Sequence, residues 1–186
     1  NVATAAGVSE PLHSFPAWFW DYDDDGWEDI LVFGFLIGPG DVASEYLGLP
    51  NKGEKPRLYR NRGDGTFEDV TRAAGLNHLI LAMGANYGDF NNDGWLDFYA
   101  GTGNPDLAML MPNRAFLNEG GRRFLEITTS AGLGHLQKGH GVAFGEEFKS
   151  GLQTGDSAGA FNVRNITGQG CAVDYAKDAR ESFCYR

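Results

Sequence analysis

An internal repeat constrains the fold of this chain more than any other feature. The stretch Asp21–Asp29 reads D-x-D-x-D-G-x-x-D, and Asp89–Asp97 repeats it 68 residues later with asparagine in the third place. A second pair, Arg57–Thr71 and Arg114–Thr128, recurs at an offset of 57 residues. Self-similarity at such a period indicates one supersecondary unit used more than once, with each copy burying its apolar faces against a neighbour.

The two offsets differ by eleven residues, so the first copy contains an insertion. The segment Ile37–Pro56 is rich in glycine and proline and is the place for it. It is interpreted either as a longer surface loop or as a loop that faces a ligand.

Each copy reads as four short strands separated by turn residues, which is the pattern of a propeller blade. The sequence therefore predicts an all-β fold: an incomplete, open β-propeller of four-stranded blades, with an acidic loop between the first and second strands. The predicted strands are Phe15–Trp20, residues 29–37, Leu58–Asn61 and Thr66–Val70 in the first copy, and Met83–Gly88, Leu96–Ala100, Ala115–Asn118 and Arg123–Thr128 in the second.

The repeat also predicts how the chain is divided. Val2–Val8 resembles Val70–Leu76 and Ile127–Leu133, so the chain begins with the end of an earlier copy, and a third copy begins near Gly141. The predicted units are the end of a preceding blade with a linker (1–14), a blade (15–76), a second blade (77–134), the start of a third (135–145) and a divergent tail (146–186).

The acidic stretches have the spacing that a hard cation requires. Alternate residues of a tight loop direct their oxygens at one centre, and the glycine in the sixth place permits a sharp turn with positive φ. Position twelve is Val32 rather than the glutamate of an EF-hand, and Asp29 closes the loop earlier. The alternatives are Asx turns without a metal and a pair of carboxylates acting as acid and base. Carboxylates this crowded and regular are better suited to be ligands than catalysts.

Composition narrows the class of protein. Glycine makes up 27 of 186 residues, which suits many turns, and the net charge of −10 argues against nucleic acid as a partner. There is no apolar run of transmembrane length and no signal-peptide pattern. Cys171 and Cys184 are compatible with free thiols or with a disulfide.

These motifs resemble the FG-GAP or VCBS repeat of integrin-type β-propellers, and most of all the group with an ASPIC/UnbV domain, which comprises cartilage acidic protein and bacterial relatives. The doubled acidic loop, the segment Leu58–Leu76 and the run Ala131–Gly145 carry the resemblance, which covers about residues 1–145. It implies one Ca²⁺ in each acidic loop. The implied ligands are Asp21, Asp23, Asp25, the carbonyl of Trp27 and Asp29 in the first site, and Asp89, Asn91, Asp93, the carbonyl of Trp95 and Asp97 in the second. Asn91 brings no charge, so the second site is expected to be weaker.

The third loop departs from the pattern. Glu146 stands in its first place, but Phe148, Ser150 and Thr154 take the places of the third, fifth and ninth ligands, so no metal is predicted there. The remainder, to Arg186, shows no repeat, and a shifted reading frame, a foreign join and real divergence are the open explanations.

The resemblance implies a non-catalytic, calcium-binding segment that acts as a structural and adhesion or interaction module, placed outside the cell or at its surface. The alternative is the scaffold of a larger secreted enzyme acting on glycans or lipids. The expected partner is a protein or glycan, with no membrane span in this chain. About two blades cannot close a propeller, so further blades of a longer chain, or marginal stability, are expected.

Overall fold

The computed structural model describes residues 1–104, 106–145 and 162–164. Within those residues the chain is mostly β. The elements are α1 (Ala3–Ala6), β1 (Ser14–Trp20), β2 (Asp29–Gly34), α2 (Pro39–Tyr46), β3 (Arg57–Asn61), β4 (Phe67–Asp69), β5 (Ala82–Gly88), β6 (Asp97–Thr102), a short 3₁₀ helix (Leu107–Met109), β7 (Arg114–Asn118), β8 (Phe124–Glu126), β9 (Ala143–Gly145) and β10 (Asn162–Arg164). None of the described helices has the length and apolar character needed to span a membrane.

Two four-stranded antiparallel sheets form the body of the molecule. The first has the order β1-β2-β3-β4 and the second β5-β6-β7-β8, so each sheet is a simple meander. Their registers correspond: Trp18 lies opposite Leu31 in the first sheet, and Asn86 lies opposite Tyr99 in the second. This confirms the predicted all-β, open arrangement with an acidic loop between the first two strands of each sheet. The residue bounds of the individual blades stay predictions.

The main core lies between the two sheets. Side chains alternate between the faces of a strand, so Trp18, Trp20 and Phe33 share one face of the first sheet. This face packs on Tyr87 and Phe98 of the second sheet, with ring centroids between 5.5 and 6.3 Å apart. Burial of each such aromatic side chain contributes about 2–3 kcal/mol, so this contact determines how the two sheets, and hence the two acidic loops, are placed.

The outer faces of the two sheets differ. Phe19 on the outer face of the first sheet is 62% exposed. The equivalent of Phe19 in the second sheet is Tyr87, which the first sheet covers. The far face of the second sheet is in turn covered near β9, where the rings of Phe90 and Phe144 lie 4.9 Å apart. The N-terminal segment covers part of the outer face of the first sheet, where Tyr59 is 4% exposed and its hydroxyl donates to the carbonyl of Glu10 at 2.7 Å. The part of this face around Phe19 is left bare, as expected of blades that bury their faces only against each other.

The insertion contains a helix, which its glycine and proline content had concealed. Pro39 occupies the first turn of α2, where a missing N–H costs nothing. The Asp41 carboxylate accepts a hydrogen bond of 2.9 Å from the N–H of Gly38 and so caps the helix start. Val42 is buried in a second apolar cluster with Leu79, from the segment that precedes β5. The insertion is therefore not only a surface loop, because it packs against the segment that joins the sheets.

The third copy is only partly described. β9 pairs with β10, which belongs to the tail that shows no repeat in the sequence. The predicted absence of a metal at the third loop and the state of Cys171 and Cys184 lie outside the described residues.

Candidate metal centre

The two acidic loops have the same backbone conformation. The fourth residue of each loop takes a left-handed conformation, with φ of 54° at Asp24 and 59° at Asn92. The glycine in the sixth place does the same, with φ of 87° at Gly26 and 91° at Gly94. Asp and Asn tolerate this region better than most residues, and glycine adopts it without strain. The shared residues thus produce two copies of one tight turn.

The first aspartate of each loop holds the turn from inside. Asp21 Oδ1 accepts a hydrogen bond of 3.0 Å from the N–H of Asp25, and Asp89 Oδ1 accepts one of 3.1 Å from the N–H of Asp93. The other oxygen of each carboxylate accepts the N–H of the loop glycine at 2.8 Å. These bonds orient the carboxylates without neutralising their charge.

The ninth residue joins the loop to its sheet. Asp29 is fully buried, and its two oxygens accept the N–H groups of Tyr22 at 3.2 Å and of Asn61 at 2.8 Å. Burial away from water raises the pKa of Asp29 to about 7, while these two hydrogen bonds act in the opposite direction. A carboxylate in this position gains from a nearby cation, because the cation favours its charged form.

Asp97 repeats this arrangement in the second loop. It is fully buried and accepts 2.7 Å hydrogen bonds from the N–H groups of Phe90 and Asn118. Burial raises the pKa of Asp97 to about 6. Both predicted closing ligands are therefore braces between the loop and the third strand of its own sheet.

In the first loop three carboxylates converge. One oxygen each from Asp21, Asp23 and Asp29 lie within 4.8 Å of one another, so these residues could hold a metal ion. The Asp23 side chain is 10% exposed, and its Oδ1 is buried without a hydrogen-bond partner. Leaving a buried carboxylate oxygen unpaired is costly, and a cation in the cluster would relieve that cost. The donor set of hard oxygens fits calcium.

Asp25 lies outside that convergent group. Its Oδ1 accepts a hydrogen bond of 3.0 Å from the N–H of Trp27, and its Oδ2 lies 3.2 Å from Arg60 Nη2. Arg60 also reaches Asp23, with Nε 2.8 Å from Oδ2. A guanidinium on β3 therefore bridges the third and fifth side chains of the first loop.

The second loop brings its predicted side chains together differently. The amide of Asn91 donates a 2.9 Å hydrogen bond to Asp93 Oδ2, so here the third residue itself bridges to the fifth. Within the described part of the chain, only the first loop brings three acidic ligand atoms within that short distance. The second site, and the carbonyl ligands of Trp27 and Trp95, stay predictions.

Three residues outside the acidic stretches support the site and were missed at the level of sequence: Arg60, Asn61 and Asn118. Asn61 and Asn118 occupy the same place in the repeat at the offset of 57. This recurrence is the sequence signal from which a shared structural role could have been predicted. Asn61 donates from its amide to the carbonyl of Glu28 at 2.9 Å, within its own sheet. Arg60 has leucine as its counterpart, so the repeat gave no signal for it.

Asn118 reaches further than Asn61. It is 2% exposed, and its amide donates to the carbonyl of Tyr22 in the first loop at 2.7 Å. The same amide nitrogen lies 3.2 Å from the carbonyl of Leu96 in the second loop. One buried side chain thus joins both acidic loops.

The part of the chain that matches a known family contains both acidic loops. Residues 21–100 match the FG-GAP-like repeat family. This range begins at the first aspartate of the first loop and includes the whole second loop. FG-GAP repeats form propeller blades, in agreement with the two open four-stranded sheets.

One relative extends the likeness. Cartilage acidic protein 1 of Xenopus tropicalis is 33% identical to this chain over 101 residues, which are 52% of this chain and 15% of the relative. The chain thus spans a small part of the length of the curated relative that it matches.

Proposed function

We propose that this chain is a calcium-binding FG-GAP-repeat segment that serves as a structural and interaction module and carries no catalytic site. The observation that carries the proposal is the convergence of Asp21, Asp23 and Asp29 within 4.8 Å together with the buried, unpaired oxygen of Asp23. A cation there would neutralise the repulsion and supply the missing partner.

The structural role follows from where the ligands are anchored. Asp29 and Asp97 each bind a backbone N–H of the third strand of their sheet. Cation binding at either loop would therefore hold together the first three strands of the sheet to which that loop belongs. The free energy of binding would thus add to the free energy of folding.

Hydrogen bonding of the carboxylates supports a non-catalytic role. Asp21, Asp25 and Asp29 each accept backbone N–H groups, so they hold the loop rather than present a mobile acid or base. The role as a binding module for a protein or glycan, and a location outside the cell, come from the resemblance to FG-GAP repeats. Turnover of polysaccharide or phospholipid by a longer form of the protein would contradict the non-catalytic part.

Calorimetric titration of the 186-residue chain with calcium tests the metal assignment. We expect two binding events, with the first lost in Asp23→Ala and the second lost in Asp93→Ala. Asp24→Asn is the matched control, because Asp24 is exposed and the second loop already has asparagine at this place. Absence of calcium heat in the unmutated chain would overturn the proposal, and so would loss of both sites in the control.

The small share of the relative that this chain covers supports a further part of the proposal, that more blades complete the assembly. The exposed area around Phe19 would then pack on a preceding blade. If the 186-residue chain is a monomer in sedimentation and melts as one highly stable cooperative unit, this part fails.

A further inference from the structure

Arg60 is the charged group that distinguishes the first loop from the second. It projects from β3, whose equivalent in the second sheet is β7, and the residue in its place there is Leu117. Its guanidinium contacts two of the predicted ligands at once, with Nε 2.8 Å from Asp23 Oδ2 and Nη2 3.2 Å from Asp25 Oδ2.

The difference at Arg60 is matched by a difference at the third loop position. The first loop has Asp23 where the second has Asn91, and the first sheet has Arg60 where the second has Leu117. With every carboxylate ionised, as calcium binding favours, the four predicted side-chain ligands of the first loop carry four negative charges, which Arg60 reduces to three. Those of the second loop also carry three, from Asp89, Asp93 and Asp97. Once Arg60 is counted, the predicted ligand side chains of the two loops therefore carry the same net charge. The first loop has two further acids, Asp24 and Glu28, which are exposed and have the uncharged Asn92 and Leu96 as counterparts.

In the second loop an uncharged group makes the bridge that Arg60 makes in the first. The Asn91 amide donates to Asp93 Oδ2 at 2.9 Å, which links the third and fifth side chains as the guanidinium links Asp23 and Asp25. Both loops are therefore held in the metal-free state, but only the first is held by a positive charge that opposes an incoming cation.

We propose that Arg60 is a resident counter-ion of the first loop, which stabilises it without metal and lowers its affinity for calcium to near that of the second loop. This inference rests on the proposed calcium function. Affinity of oxygen-ligand sites depends on the number of ligand charges, so the extra carboxylate of the first loop alone would make it the tighter site. Arg60 offsets that advantage.

The partial exposure of Arg60 makes this role feasible. Its side chain is 46% exposed, so on calcium binding it can release the two carboxylates and move into solvent without leaving a buried charge. Asp23, by contrast, is nine-tenths buried and stays in the loop.

The test is calcium titration of the full chain in the Asp93→Ala background, which isolates the first site. Arg60→Leu introduces the residue that the second sheet has at this place. We expect calcium affinity to rise roughly tenfold, because this is the size of the repulsion that Coulomb's law gives between a unit charge and a nearby divalent ion at the dielectric constant of water. Arg60→Lys keeps the charge and should change affinity by less than about threefold. Arg62→Leu is the matched control, since Arg62 pairs with Glu68 at 3.4 Å and not with the loop, and it should leave affinity unchanged.

A charge cycle and a melting experiment sharpen the test. Asp23→Asn alone should weaken binding. Asp23→Asn combined with Arg60→Leu gives the first loop the predicted side-chain ligands of the second loop and its β7 residue, and should return affinity to near the starting value. In chelator Arg60→Leu should lower the melting temperature, and saturating calcium should raise it by more than in the parent. Unchanged or weaker calcium affinity in Arg60→Leu overturns the inference while leaving the proposed function intact. Absence of calcium binding in the parent overturns both.

Discussion

The two acidic loops have the same backbone and different electrostatics. Their turns share the left-handed fourth residue and glycine, and both are closed by a buried aspartate that accepts from the third strand. At the predicted side-chain ligands they differ by Asp23 against Asn91, and on the third strand by Arg60 against Leu117. The exposed acids Asp24 and Glu28 of the first loop also lack charged counterparts in the second. The conformation of such a loop thus depends on a few glycine and aspartate positions, whereas its charge can be set independently from a neighbouring strand.

The loops differ as well in what surrounds them. The first loop contacts the adjacent sheet, because Asn118 donates to the carbonyl of Tyr22 and a Cβ added at Gly121 would lie 2.8 Å from the Cα of Asp23. The equivalent asparagine, Asn61, donates to Glu28 in its own sheet. The first loop is therefore part of an interface between blades, and its state should affect both sheets.

Calcium binding should cause the largest change in the free energy of unfolding. At about 100 times the dissociation constant of each site, binding adds about 2.7 kcal/mol per site to the free energy of unfolding, or about 5 kcal/mol for two sites. Denaturant unfolding in saturating calcium and in chelator measures this. Asp23→Ala and Asp93→Ala should each remove about half of the increment, and a full loss from either one would mean that the sites are not separate.

In the metal-free chain, the change in the free energy of unfolding with pH should be nearly as large. Burial raises the pKa of Asp29 from 3.8 to about 7 and that of Asp97 from 3.8 to about 6. Each group holds its proton more tightly in the folded chain, so it stabilises that chain fully below pH 3.8, and this contribution is lost as the pH rises through the raised pKa. By linkage the losses amount to about 4 and about 3 kcal/mol.

Unfolding in chelator between pH 5 and 8 distinguishes the two groups. In this range Glu45 and Glu54, whose pKa values are lowered, no longer contribute a slope. Asp29→Asn should abolish the fall in stability between pH 6 and 7, whereas Asp97→Asn should retain it. A slope that survives in Asp29→Asn would assign the titration to another residue.

Asn118→Ala should lower the free energy of unfolding by about 3 kcal/mol, because it removes the donor to the buried carbonyl of Tyr22 and to the part-buried carbonyl of Leu96. Asn61→Ala should cost about 1 kcal/mol, since Asn61 is partly exposed and its amide reaches one carbonyl. Equilibrium unfolding in urea measures both, and equal costs would show that the contact between the first loop and the second sheet adds no stability.

The smallest expected change in stability comes from truncating a side chain on the exposed face of the first sheet, compared with its equivalent on the covered face of the second. Tyr87 packs against Trp18 and Trp20, so Tyr87→Ala should cost about 2 kcal/mol. Phe19, its equivalent, is 62% exposed, and Phe19→Ala should change stability by no more than about 0.5 kcal/mol. A large cost at Phe19 in the 186-residue chain would indicate that the bare face is covered, for example by a second copy.

Features that depend on the local spacing of residues could be predicted from the sequence. Strand positions and the placing of the acidic loops follow from the repeat, and the strand starting at Asp29 begins where predicted. Asp29 and Asp97 were predicted as closing ligands, which stays a prediction, and their bonds to the third strand were not foreseen. Helix α2 escaped because Pro39 and Gly40 read as breakers, although proline suits a first helical turn. Arg60 and Asn118 escaped for another reason: their partners lie 35 and 96 residues away, and only strand register and sheet packing bring them close.

The long reach of Asn118 has a consequence for synthesis on the ribosome. The amide that binds the carbonyl of Tyr22 is 96 residues downstream of it, and at about 5–20 residues per second it is made roughly 5–20 s later. Until then the first loop and the inner face of the first sheet are without the second sheet. For that interval the apolar inner face of the nascent first sheet is uncovered, and the bond that joins the first acidic loop to the second sheet forms only when Asn118 emerges.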